Sequence, residues 1–146
     1  MQALKYLLSN YVLISAVTAW AAAQICKTII HFIVNKKFSA ERLVGMGGMP
    51  SCHSAMVCAL TIAIARVEGI NSTLFALGVM FATVVMYDAM GVRRAAGEQA
   101  KVLNKLVLED DDDKNEKPLK EFLGHKPIEV LAGALLGILT AIVIPM

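Results

Sequence analysis

His125 and Glu129 stand four residues apart in GHKPIEVLAGALLG, one turn of a helix. A carboxylate beside an imidazole fixes its tautomer and supports positive charge on it, as in a nucleophile or base with its orienting group. An interfacial histidine followed by a first-turn glutamate favoured by the helix dipole gives the same spacing. A second histidine, His53, lies in GMGGMPSCHSA, after Gly45, Gly47, Gly48, Pro50, Ser51 and Cys52. Pro50 suits the first position of a helix, where its missing N–H costs nothing. The free N–H groups of such a helix start, with its dipole, make an anion site. Gly47 and Gly48 let backbone approach a ligand closely, and Ser51 offers a hydroxyl. The competing reading is a flexible loop with an interfacial histidine.

Gln24, Lys27 and His31 recur at i, i+3 and i+7, one helical face within an apolar stretch. A lysine there either snorkels to the interface or faces the bundle interior with a partner. The face shared with Gln24 and His31 points to the interior. In YDAMGVRRAAG, Asp88 precedes Arg93 and Arg94, whose planar guanidinium groups suit phosphate. One of the two arginines is expected to do no more than obey the membrane charge bias.

Four oily segments position these groups: about 11–34, 51–67, 72–90 and 128–146. The first is long enough to span a hydrocarbon core of roughly 30 Å. The last carries Gly133 and Gly137 at the G-x-x-x-G spacing that lets helices approach closely in lipid. Four such segments in 146 residues, 57% hydrophobic and 18% charged, leave too little polar chain to cover a soluble core. The expected fold is all-α, one membrane-embedded multi-pass helical domain over 1–146 with about four transmembrane helices. Residues 1–10 form either an interfacial helix or an extension of the first span. Gly69-Ile70-Asn71 makes a tight turn. The polar stretch 93–127 starts with an amphipathic surface helix carrying Val92, Ala96, Gln99, Leu103 and Leu106 at near-helical spacing. The acidic run over 109–116 reads as a solvated loop with no chemistry.

A net charge of +2 with no aromatic-interleaved basic stripe argues against a nucleic-acid partner. Cys26, Cys52 and Cys58 form no CxxC pair and no disulfide scaffold. No secretory signal is read at the N-terminus. With four spans, residues 35–50 and 93–127 share one side and hold eleven of the fourteen lysines and arginines. The positive-inside bias puts that side, and the polar residues gathered there, in the cytoplasm.

PSCHSA resembles the PSGH motif of the type 2 phosphatidic acid phosphatases, relatives of the vanadium haloperoxidases. LGHKPIEVLAGALLG resembles their closing motif, in which an aspartate follows the histidine by four residues and V-L-A-G comes next. With YDAMGVRRAAGEQA between them, the chain is similar from Ala23 to Gly137 to the small divergent branch of that superfamily. The resemblance implies a phosphatase-like hydrolase acting on a lipid phosphate or pyrophosphate through a phosphohistidine, without a metal or other cofactor. It makes His125 the nucleophile, Glu129 its orienting group and His53 the acid that protonates the leaving alcohol. Ser51, with the backbone of Cys52 and His53, would bind phosphate oxygens. Lys27 and Arg93 or Arg94 would neutralise them.

The family's lysine, six residues and Arg-Pro is absent; Lys27 stands in for it, with Arg42 the weaker substitute. Leu119 stands six residues before His125, where the family has arginine, and Cys52 stands where it has glycine. Four spans against the family's six-helix core make a completing homodimer plausible. The alternative is a non-catalytic protein that binds or moves anionic lipids with an inherited phosphate pocket. A metal site from His31, His53, His125, Asp88 and Glu129 ranks below both, for want of H-x-x-x-H or H-E-x-x-H spacing.

Overall fold

The computed structural model describes residues 2–36, 48–110, 119 and 124–146. They form six helices: α1 (Gln2–Leu8), α2 (Tyr11–Asn35), α3 (Cys52–Glu68), α4 (Thr73–Met90), α5 (Val92–Asp110) and α6 (Pro127–Val143). Among the described residues there is no strand. The fold is an all-α helical membrane bundle. Tyr11–Val34 and Thr73–Leu106 are long and apolar enough to cross a bilayer, and Pro127–Val143 is a shorter apolar helix.

Local chemistry sets the boundaries. Asn10 caps α2, its Oδ1 accepting from the Leu13 N–H at 3.1 Å. This cap separates α1 from α2, so the N-terminal residues make a helix of their own. Ser51 caps α3 and Ser72 caps α4, each hydroxyl accepting the N–H three residues on. Between them Gly69 ends α3 at φ 85, a conformation that a side chain would resist. Pro50 therefore stands one residue ahead of the α3 cap; it is Pro127 that occupies the first turn, in α6. α5 runs through Asp110, so Glu109 and Asp110 are helical where a loop was expected. α6 ends at Val143, earlier than the oily segment suggested, because Ile144 turns extended.

Packing follows small residues. Ala19 and Ala23 of α2, Ala55 and Ala59 of α3, and Ala141 of α6 are fully buried in one cluster. α6 lies directly on α3. A Cβ at Gly133 would overlap the Ser51 carbonyl, and one at Gly137 the Ala55 carbonyl. Lipid tails are as apolar as leucine, so such close van der Waals contact, not exclusion of water, holds the helices together. On its other side α3 meets α4, where the Thr61 hydroxyl donates to Val57 O at 2.8 Å and Gly78 O at 3.0 Å.

These contacts set directions. Ser51 pairs with Gly133 and Ala55 with Gly137, so α3 and α6 run parallel. Lys27 meets Cys52, and Tyr11 meets Arg66 and Ala141, so α2 runs against both. Thr61 meets Gly78 and Cys58 meets Met86, so α4 is antiparallel to α3. The N-termini of α3 and α6 thus open at one end of the bundle, beside the later turns of α2 and α4.

Candidate phosphate site

At that end His125 sits just ahead of α6, with its backbone N–H on Ala89 O at 3.1 Å. Its Nδ1 lies 3.0 Å from Glu129 Oε2, which also accepts the Lys126 N–H at 3.1 Å. A carboxylate only accepts, so Nδ1 carries the proton and Nε2 keeps its lone pair. His125 is 5% exposed, and burial pushes its imidazole below the ordinary value. Glu129 pulls it back up, while the charges of Lys27 and His53 push it down again. Both of those groups therefore lie within electrostatic reach of His125.

The Ser51 N–H donates to Glu129 O at 3.0 Å, tying the start of α3 to the first turn of α6. The Ser51 hydroxyl accepts from the Ser54 N–H at 3.3 Å and from the Ser54 hydroxyl at 3.0 Å. Helix geometry gives the N–H groups of Cys52 and His53 no acceptor inside α3. Cys52 is buried, with its Sγ 3.8 Å from Lys27 Nζ and 3.9 Å from His53 Nδ1.

Lys27 is 3% exposed and so points into the bundle rather than to the interface. Its stem rests on Gly48, whose φ of 86 lets the backbone pass close by. Gln24, one turn earlier, is buried, and His31, one turn later, is half-buried. The structure thus brings together His125, Glu129, His53, Ser51, Cys52, Lys27 and Gly48. Arg42 and Gly47 lie outside the described residues.

The two arginines part ways. Arg93 Nε pairs with Asp88 Oδ2 at 2.6 Å on the surface. Arg94 has its backbone pressed against Gly124, where any Cβ would overlap it, one residue before His125. Asp88 is therefore partner to Arg93. Among the described residues no three His, Cys, Asp or Glu side chains are placed to hold a metal ion.

Sequence reading missed Asn104. Its Nδ2 donates to Leu119 O and its Oδ1 accepts the Leu119 N–H, both at 2.8 Å. The residue in the place of the family's arginine is thus clasped to α5 by its backbone. A polar residue on the inward face of α5, beside Ala100, was the available signal.

The model of the divergent PAP2 family matches residues 8–140 of this sequence. The chain belongs to that family. It is also 46% identical over 151 residues to the uncharacterized membrane protein YuiD of Bacillus subtilis (strain 168). The alignment covers 94% of this chain and 96% of that protein. No solved structure matches. The family match takes in every residue of the site described above, from the α2 lysine to the first turn of α6.

Proposed function

We propose that this divergent PAP2 protein is a membrane-embedded hydrolase of a lipid phosphate or pyrophosphate, working through a phosphohistidine. The observation that carries the reading is the pair of buried His125 with half-buried Glu129 beside Ser51, the capping residue of α3. His125 Nε2 attacks phosphorus while the bond to the leaving oxygen breaks, and His53 gives that oxygen a proton. Water then attacks the phosphohistidine, His53 takes a proton from it, and inorganic phosphate leaves as the P–N bond breaks. Lys27, Arg94 and the N–H groups of Cys52 and His53 hold the phosphoryl oxygens. These groups supply the positive charge, so no metal enters the scheme. Four helices, α2, α3, α4 and α6, cross the bilayer in alternating directions. The Lys/Arg bias places the site on the cytoplasmic side.

The test is phosphate release by the purified full chain in lipid vesicles, across phosphatidic acid, isoprenyl phosphates and isoprenyl pyrophosphates. A radiolabelled substrate quenched in mid-turnover should leave an acid-labile, alkali-stable label on His125. His125→Ala should lower turnover by at least ~10³-fold and His53→Ala nearly as much. Activity that survives both changes overturns the reading.

One observation favours a second reading, a non-catalytic binder of anionic lipid. Cys52 puts a sulfur 3.8 Å from Lys27 Nζ, at a position where the resembled motif has no side chain. Binding of these lipids without release of phosphate from any of them would select it.

A further inference from the structure

α5 carries three distinct rows of side chains. Gly97, Ala100 and Asn104 are buried, with Ala96 half-buried beside them. A second row, Val92, Val102, Leu103 and Leu106, is apolar and between 49% and 67% exposed. A third row, Arg94, Lys101 and Lys105, is exposed and cationic, with Glu98 its one acidic member over residues 92–106. The steps of three and four residues keep each row on its own side of the helix.

We propose that α5 lies flat on the bilayer surface and gathers anionic lipid headgroups around the mouth of the site. Continuity with α4 carries the first part of the argument. The eighteen residues of α4 are about 27 Å long, close to the thickness of the hydrocarbon core. α5 begins two residues after α4 ends, so it starts at the membrane surface. A helix standing out into water would hold Val102, Leu103 and Leu106 in solvent. One lying in the interface buries them among acyl chains and leaves the cationic row at headgroup depth.

Charge carries the second part. Arg93 is occupied by Asp88, but Arg94, Lys101 and Lys105 outnumber Glu98. Juxtamembrane lysines and arginines attract anionic headgroups. Arg94 belongs both to this row and, through its backbone contact with Gly124, to the surroundings of His125. The cationic row therefore ends at the site, and lipids collected along α5 are delivered there. This inference rests on membrane placement alone and holds whether or not the site turns substrate over.

The experiment places an indole on the apolar row of the full chain, L103W in a Trp20→Phe background. Reconstitution uses phosphatidylcholine vesicles containing phosphatidylglycerol, with brominated acyl chains on one lipid or the other. Acyl bromines should quench this indole but not one placed on the cationic row by K101W. At equal mole fraction, quenching should be at least about twofold greater when the bromines are on phosphatidylglycerol. Lys101→Gln with Lys105→Gln should abolish that excess while leaving quenching by the zwitterionic lipid. V102W repeats the measurement should L103W fail to insert. Absence of quenching at both apolar positions means that water or a second copy of the chain covers the face, and overturns the proposal. Equal quenching by the two lipids overturns the anionic preference.

Discussion

The parallel pair α3 and α6 has two ends, and the chain treats them in opposite ways. At the N-terminal end lie His53, His125, Glu129, Ser51 and a buried lysine from α2. At the C-terminal end lies Arg66. Its guanidinium donates to the carbonyls of Ala141, Ile142 and Ile144 and to the Tyr11 hydroxyl, and it stacks 5.2 Å over the Tyr11 ring. Tyr11 itself donates to Ala141 O at 2.8 Å. Both arrangements answer the same backbone electrostatics. Parallel helices add their dipoles, leaving partial positive charge and unpaired N–H groups at one end, partial negative charge and unpaired carbonyls at the other. The last carbonyls of α6 are met within the protein by Arg66 and Tyr11. At the N–H end Ser51 and Glu129 take up part of the demand, and helix geometry gives the Cys52 and His53 N–H groups no acceptor inside α3. Structure is closed at one end and chemistry is open at the other.

The sharpest way to break this comparison is to disable each end in turn. Arg66→Met should cost about 2–3 kcal/mol of stability, because several carbonyls lose a charged donor. It should leave the affinity for vanadate, a phosphate analogue, unchanged. His125→Ala should do the reverse, a large loss of turnover with little change in thermal midpoint. Loss of vanadate binding in Arg66→Met would mean that the two ends are not separate.

Gly133→Ala and Gly137→Ala sharpen it along the length of the pair. Each sets a methyl against an α3 carbonyl, and each should destabilise by roughly 1–3 kcal/mol. Gly133 faces Ser51, so Gly133→Ala should also weaken vanadate inhibition. Gly137→Ala, one turn away, should not.

The pH profile reads the open end directly. Burial holds the His125 imidazole below its ordinary value, so the acid limb of kcat/KM should fall below pH ~6.5. Glu129 raises that value, and Glu129→Gln should move the limb further towards acid. Lys27 lowers it, and Lys27→Met should move the limb towards neutrality. A folded value below the unfolded one stabilises the fold fully above pH ~6.5 and loses that contribution as pH falls through the lowered value. Thermal midpoints across pH check the sign.

The smallest effect should come from Arg93. Its surface pair with Asp88 is worth no more than about 1 kcal/mol, so Arg93→Gln should change stability and turnover little. Arg94→Gln should weaken vanadate inhibition clearly. Equal effects from the two would show that the site does not choose between them.

Much of the bundle was legible along the chain. The apolar runs that begin near Ser51 and Ser72 become α3 and α4, and Gly69 announces the turn between them. The Gly133–Gly137 pair is a local pattern whose contact in the structure is the one that it foretells. The pairing of His125 with Glu129 was also readable, although His125 precedes α6 and Glu129 reaches back to it from the first turn. Pro50 was misplaced, since the serine after it is the stronger capping group. The extension of α5 into the acidic residues was hidden, because run composition speaks for solvation and not for where a helix ends.

Residues joined across helices were not legible in the same way. Nothing near Arg66 in the sequence says that it will reach the last carbonyls of α6, and nothing near Asn104 points to Leu119. Local order alone decided the helices, their caps and the apolar faces, because those depend on neighbours within a turn. The tertiary structure decided that α3 and α6 run parallel, that Lys27 meets Cys52, and which arginine has its backbone against Gly124. Those are relations between surfaces far apart in the chain, and only close packing of small residues selects among the many ways of bringing them together.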